Sequence, residues 1–144
     1  MFLGTSNHTL DDKFRLVLPR KDREIFGTKV IVTLGFDHNL ALYTAAGFAE
    51  FIGELDKVSN FDANARRVKR VIFGHSADLN VDAHGRVILP RALLECVGIT
   101  RDVTLVGTGD HIEVWDTATF EANRPKDEED LSCLAQTFLE PDRR

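Results

Sequence analysis

Cysteine is nearly absent: two residues in 144, Cys96 and Cys133, neither part of a close metal-ligand spacing. Both read as free thiols in a reducing compartment, and a metal site is not expected. No apolar run approaches the ~20 residues that span a bilayer, so no membrane partner is expected. The segment MFLGTSNHTLDD lacks a basic start and a long apolar stretch, so no secretory leader is expected there. Catalytic signatures are missing as well. There is no His-Glu-x-x-His, no phosphate-binding Gly-Lys loop and no serine elbow. The five histidines, His8, His38, His75, His84 and His111, are scattered at no ligand spacing. Neither an enzyme nor a resident cofactor is expected.

What remains is an ordinary globular composition, 43% hydrophobic and 28% charged, with net charge −5. The sign argues mildly against a nucleic-acid partner, because the molecule as a whole repels phosphate. The distribution qualifies this. Residues 125–144 hold six acids against three bases, whereas Asp11 to Glu24 hold five bases against four acids. Arg66, Arg67, Lys69 and Arg70 form a third, strongly basic group. Such a run reads as a solvated helix face, as a partner for the acids of the C-terminal tail, or as a phosphate contact.

The chain also repeats itself. TLDDKFRLVLPR (9–20) and NVDAHGRVILPR (80–91) align at an offset of 71, placing Asp11 on Asp82 and Arg15 on Arg86. Glu24 and Gly27 meet Glu95 and Gly98 at the same offset. After one inserted residue, Gly35, Tyr43 and Phe48 meet Gly107, Trp115 and Phe120. A unit of this length used twice is too small to bury its apolar face alone.

Within each copy the elements follow in one order. Arg15–Leu18 and Arg86–Leu89 are short apolar runs suited to buried strands. Pro19 and Pro90 end them and open short helices over 20–26 and 91–97, which Gly27 and Gly98 stop. Hairpins follow over 30–34 with 40–43, and over 103–106 with 111–115. Helices are expected over 45–56, with Phe48, Phe51, Ile52 and Leu55 on one face, and over 117–123. A helix over 63–73 carries the four bases with Val68, Val71 and Ile72 inward, and 75–81 returns as a strand. A terminal helix over 127–139 is compatible with the pattern. Cys96 aligns with Ile25 and is expected to be buried.

The shared feature is an Asp-x-x-x-Arg turn presented twice. One reading has Asp orient the turn while Arg15 and Arg86, with Lys13 and His84, face phosphates or a base edge, which the rigid guanidinium fork suits. The other makes each Asp–Arg pair a structural ion pair with no ligand. Arg20 and Arg91, at the starts of the short helices, are either phosphate contacts or solvated helix ends.

LDDKFRLVLPRKDR, NVDAHGRVILPRALLE and LVGTGDHIEVWD together resemble the MraZ family, within the wider group of swapped-hairpin AbrB-like proteins. The resemblance implies an α+β fold in which two tandem AbrB-like units intertwine into one barrel-like domain with outer helices. The units are then 1–56 and 75–123, joined by a helical connection over 57–74 and followed by an acidic tail, 124–144. The resemblance further implies a cytoplasmic, nucleoid-associated, sequence-specific DNA-binding transcriptional regulator. Its expected partners are tandem repeats in the promoter of a division and cell-wall gene cluster, and further copies of itself in a ring-like homo-oligomer. The family's motif falls on Asp11, Arg15, Asp82 and Arg86. One departure is visible: Gly85 matches the family's glycine, but Phe14 stands at the equivalent place. The competing reading is a ring-forming interaction module that does not bind DNA, which the negative net charge favours.

Overall fold

In the computed structural model, residues 1–124 and 128–139 are described. The first copy contributes strands β1 (Thr5–Thr9) and β2 (Arg15–Val17), helix α1 (Arg20–Phe26), and the hairpin β3 (Lys29–Leu34) and β4 (Leu40–Tyr43). Helices α2 (Ala45–Asp56) and α3 (Ala63–His75) lead into the second copy. That copy runs β5 (Ala77–Asn80), β6 (Arg86–Ile88), α4 (Arg91–Cys96), β7 (Asp102–Gly107), β8 (Ile112–Asp116) and α5 (Thr117–Asn123). Helix α6 (Glu128–Leu139) follows. The class is α+β, as expected.

Local chemistry places the boundaries. Pro19 and Pro90 precede α1 and α4 as N-caps, at φ −55° and −61°. Gly27 at φ 71° and Gly98 at φ 69° turn the chain out of the helices in the left-handed region, where only glycine is unstrained. The second helix of each copy is capped by a side chain at the same repeat position. Thr44 Oγ1 accepts the Gly47 N–H at 2.9 Å, and Asp116 Oδ2 accepts the Thr119 N–H at 3.1 Å. Asp62 caps α3 by accepting from Asn64 and Ala65.

The copies are interleaved through their strands. Six strands form one antiparallel sheet in the order β1-β7-β8-β4-β3-β5. The first strand of each copy therefore pairs with the third strand of the other, β1 with β7 and β5 with β3. The two hairpins meet at β4–β8. The remaining strands form a separate two-stranded antiparallel ribbon, β2–β6, lying against the sheet's two edge strands. The barrel is thus not closed by hydrogen bonds: the sheet ends at β1 and β5, and the ribbon covers the gap. Beneath it lies one core of Leu16, Leu18, Val30, Val32, Leu40, Leu42, Val87, Leu89, Leu94, Val103, Ile112 and Val114. Each copy supplies half of a core that neither encloses alone.

Several expectations need correction. Helix α3 extends to His75, and the following strand is only 77–80, because Ser76 leaves the helix in an extended conformation with its hydroxyl bonded back to the Ile72 carbonyl. Of the residues expected inward on α3 only Ile72 is buried; Val68 and Val71 are exposed. Helix α3 packs against β3 with Ile72 as its one buried residue, and an open apolar groove of about 310 Å³ lies beside Leu34, Phe36, Val68 and Val71. Cys96 is exposed, because α4 is short and turns Leu93, Leu94 and Val97 toward the core instead. Both cysteines are free thiols. The acidic-tail residues at 125–127 and 140–144 lie outside the described residues.

Candidate nucleic-acid interface

The two Asp-x-x-x-Arg turns stand at opposite ends of the β2–β6 ribbon and are built bond for bond alike. In the first, Asp11 Oδ1 accepts the backbone N–H groups of Lys13 and Arg15, both at 2.9 Å. Its Oδ2 takes the Arg15 Nε–H at 2.5 Å. In the second, Asp82 Oδ1 accepts from the His84 and Arg86 amides at 2.8 and 2.9 Å. Its Oδ2 takes the Arg86 Nε–H at 2.8 Å. Backbone bonds from Phe14 to Asp11 and from Gly85 to Asp82 close each turn. Even the side-chain exposures agree, 27% for each arginine and 38% for each aspartate.

An aspartate suits this place because a short carboxylate reaches the amides two and four residues on, satisfying donors that no strand partner takes. These bonds hold the Asp82 carboxyl down to about 2. The Arg86 backbone N–H is the main cause, followed by the Arg86 side chain and the His84 amide. Asp11 is lowered by the same set from Arg15 and Lys13. Each arginine spends its Nε on the aspartate. Its two terminal nitrogens have no protein partner among the described residues. The structural reading of the pair and the ligand-facing reading are therefore compatible in one side chain.

Between the turns, the ribbon presents an outward face that sequence reasoning missed. The apolar runs 15–18 and 86–89 read as buried strands. Instead they alternate: Leu16, Leu18, Val87 and Leu89 point into the core, while Val17 is 46% and Ile88 59% exposed. The available signal was the arginine at the first position of each run, which assigns positions 17 and 88 to its own face. Across the ribbon Arg15 stands opposite Ile88, and Val17 opposite Arg86. Bonds from Leu18 N–H to the Gly85 carbonyl and from Leu89 N–H to the Phe14 carbonyl frame these as the closely spaced, non-hydrogen-bonded pairs.

The remaining predicted residues sit around this face. Lys13 and His84 are exposed on the turns. Arg20 and Arg91 are exposed at the first positions of α1 and α4. Arg91 is partly engaged, 3.6 Å from Glu95 and with its guanidinium 5.3 Å above the Phe14 ring. Phe14 itself is half-buried and packs against the core. The basic group on α3 divides differently. Lys69 bonds Asn60 Oδ1 at 2.6 Å and lies 3.6 Å from Asp56, and Arg66 donates to the Asn60 carbonyl. These two brace the loop between α2 and α3. Arg67 and Arg70 are exposed.

Two interleaved copies, each presenting an aspartate-braced arginine on a shared ribbon, define a class of tandem-repeat proteins built around a doubled basic turn. The sequence profile described as "MraZ protein, putative antitoxin-like" matches residues 1–71 and again 72–140. The chain belongs to the MraZ family. Relatives named "Transcriptional regulator MraZ" cover nearly all of it. One from Legionella pneumophila is 37% identical over 129 residues, covering 86% of this chain and 85% of the relative. One from Moorella thermoacetica is 32% identical, covering 99% of both. One from Mesoplasma florum is 30% identical, covering 97% of both. Their shared name is that of a regulator and not of an enzyme.

Proposed function

We propose that this protein is a sequence-specific DNA-binding transcriptional regulator acting at the promoter of a division and cell-wall gene cluster. The carrying observation is the pair of matched turns at the two ends of one exposed ribbon. The relatives' name, and the resemblance carried by both motifs, support the same reading. Asp11 and Asp82 shape the turns. Arg15 and Arg86 offer their terminal nitrogens to a guanine edge or to phosphate. Lys13, His84, Arg20 and Arg91 surround them as phosphate contacts. The protein works in the cytoplasm on nucleoid DNA.

With a net charge of −5, one chain holds DNA weakly, and gathering several basic ribbons in a ring-like homo-oligomer overcomes this through avidity. Tandem DNA repeats are the matching target, since equivalent ribbons meet equivalent sequence at a fixed spacing. The exposed apolar groove beside α3 favours self-association. It is also the observation that keeps a DNA-free assembly module in view.

A salt series on DNA from the protein's own upstream region tests the proposal. Affinity is expected to fall steeply with salt as counterions are released, and Arg15→Ala or Arg86→Ala to weaken binding about tenfold each, with the melting temperature lowered only slightly by the lost surface ion pair. Equal affinity for shuffled and native promoter DNA overturns it and leaves the assembly module.

A further inference from the structure

Val17 and Ile88 are equivalent positions, 71 residues apart, and both carry a β-branched hydrocarbon on the outer face of the ribbon. A single exposed apolar residue needs no explanation. The same exposure at the same place in both copies, beside the same arginine, is a different observation. Neither side chain contributes to the core, which Leu16 and Val87 fill from the other face of the strands. Each is held against an arginine across the closely spaced pair, Val17 by Arg86 and Ile88 by Arg15. The face is therefore a two-by-two patch in which two guanidinium forks alternate with two methyl-rich groups. Diagonal partners on such a ribbon are about 7–8 Å apart.

We infer that Val17 and Ile88 read thymine methyl groups in the major groove, next to the bases or phosphates held by Arg86 and Arg15. This rests on the DNA-binding reading above and deepens it. The B-DNA major groove admits a two-stranded antiparallel ribbon, and the thymine 5-methyl is the one hydrocarbon group exposed there. An arginine and an apolar group paired across the strands can engage neighbouring base pairs, one through hydrogen bonds and one through contact. Stiff β-branched side chains suit this, because little rotamer freedom is lost when they are pressed against a methyl. The pseudo-symmetry of the ribbon places one arginine and one apolar group at each end of the patch, so the recognised step carries a thymine beside each of its two arginine contacts. Specificity then comes from four side chains, two of them uncharged, and persists at salt concentrations that weaken the phosphate contacts.

The test compares two versions of the upstream fragment, one with thymine and one with uracil throughout, which differ only in the 5-methyl groups. Binding by the full-length protein is measured by fluorescence anisotropy. The wild type is expected to bind the uracil fragment more weakly, by roughly fourfold per engaged side chain. The double variant Val17→Ser, Ile88→Ser is expected to lose a similar amount on thymine DNA and to respond to uracil far less. Arg15→Ala, weakened overall, is expected to keep the response at Val17. Equal wild-type affinity for both fragments overturns the inference while leaving the DNA-binding reading intact. So does a double variant that still discriminates as the wild type does. Loss of all binding, to either fragment, overturns the regulator reading and the inference with it. If light scattering shows that the double variant fails to assemble, the patch is a contact between copies and the inference is wrong. The uracil comparison on wild-type protein needs no variant, so it stands whether or not the serine variant folds.

Discussion

Phe14 and Gly85 hold the same backbone in the two copies of one turn, at φ 60° and φ 75°. For glycine that conformation is free, and for phenylalanine it costs about 1–2 kcal/mol. The surroundings differ to match. Over Gly85 lies the Arg23 side chain, whose Nε–H donates to the Leu18 carbonyl at 2.8 Å. The repeat partner of Arg23 is Leu94, which is buried. With no arginine there, the space on that side is filled by the Phe14 ring, capped by Arg91. Each turn thus has one bulky group covering it, contributed by the turn in one copy and by the opposing helix in the other.

Phe14→Gly removes strain and packing together. The half-buried ring is worth about 1–1.5 kcal/mol by area, and its stacking with Arg91 about 0.5–1 kcal/mol. Their sum exceeds the strain relieved by a small margin. The variant is expected to melt a few degrees lower, with DNA affinity within twofold of wild type. A clear loss of binding at unchanged melting temperature would instead make Phe14 a direct DNA contact.

Gly85→Ala is the converse case. Its Cβ would stand 2.2 Å from Arg23 Nε, so Arg23 must leave its bond to Leu18, and the alanine also takes on positive φ. The expected cost is about 2 kcal/mol, roughly half from the left-handed backbone and half from the lost bond. Urea unfolding measures it. The double variant Gly85→Ala, Arg23→Leu is expected to recover part of the loss, because leucine at this place has a precedent in Leu94.

Acid titration separates the two turns from the rest of the molecule. Asp82 is depressed to about 2 by the amides it caps. A depressed carboxylate stabilises the fold fully above its unfolded value of 3.8, and that contribution is lost as pH falls through about 2. Carboxyl NMR shifts are expected to give an Asp82 midpoint near 2, with Asp11 also below 3.8. A midpoint for Asp82 at or above 3.8 would show that the turn is not closed in solution.

Asp22 has the opposite sign. It is buried, and loss of water raises its carboxyl above the ordinary value, against the pull of Lys21, the Met1 amino group and His8. A raised carboxylate leaves stability untouched below 3.8 and costs stability as pH rises through the folded value. Asp22→Asn is therefore expected to raise the melting temperature at pH 7, with the gain vanishing below about pH 4. A variant that melts lower at pH 7 would show that the pull of the neighbouring cations outweighs burial.

Much of this architecture was legible because its signals are local. The prolines and glycines bounding α1 and α4, the hairpin turns and the doubled Asp-x-x-x-Arg spacing all act within a few residues. Pairing between copies was only partly legible. Repetition implied that the units share a core, but nothing in either segment says that β1 joins β7 rather than β3. That choice is made by the long-range closure of the sheet. Exposure was misread for a related reason. Val17, Ile88, Val68 and Val71 are apolar residues on elements that do bury one face, and composition alone does not tell which face of a three-residue strand looks inward. The alternation with Arg15 and Arg86 carried that information for the ribbon. For α3 it is absent, because Ile72 is the one residue of that helix that is fully buried.

The groove left beside α3 yields the last prediction. Phe36, Val68 and Val71 line it in the open, and the exposed Arg67 borders it. The slot is apolar and bordered by one arginine, and the partner expected there is a second copy of the chain. Val71→Glu places a charge in the slot at a position 47% exposed, where the fold itself loses little. Light scattering is expected to give wild-type particles larger than a dimer of the 16.2 kDa chain, and smaller ones for the variant. The melting transition of the variant should keep its cooperativity. Its affinity for a fragment with several repeats should drop toward that for one repeat, because the second and later contacts become separate encounters instead of tethered ones. A wild type that stays monomeric at working concentration, or a variant that assembles as the wild type does, removes this face as the contact between copies. Unchanged multivalent affinity in a fully dissociated variant would show that one ribbon suffices to hold the DNA.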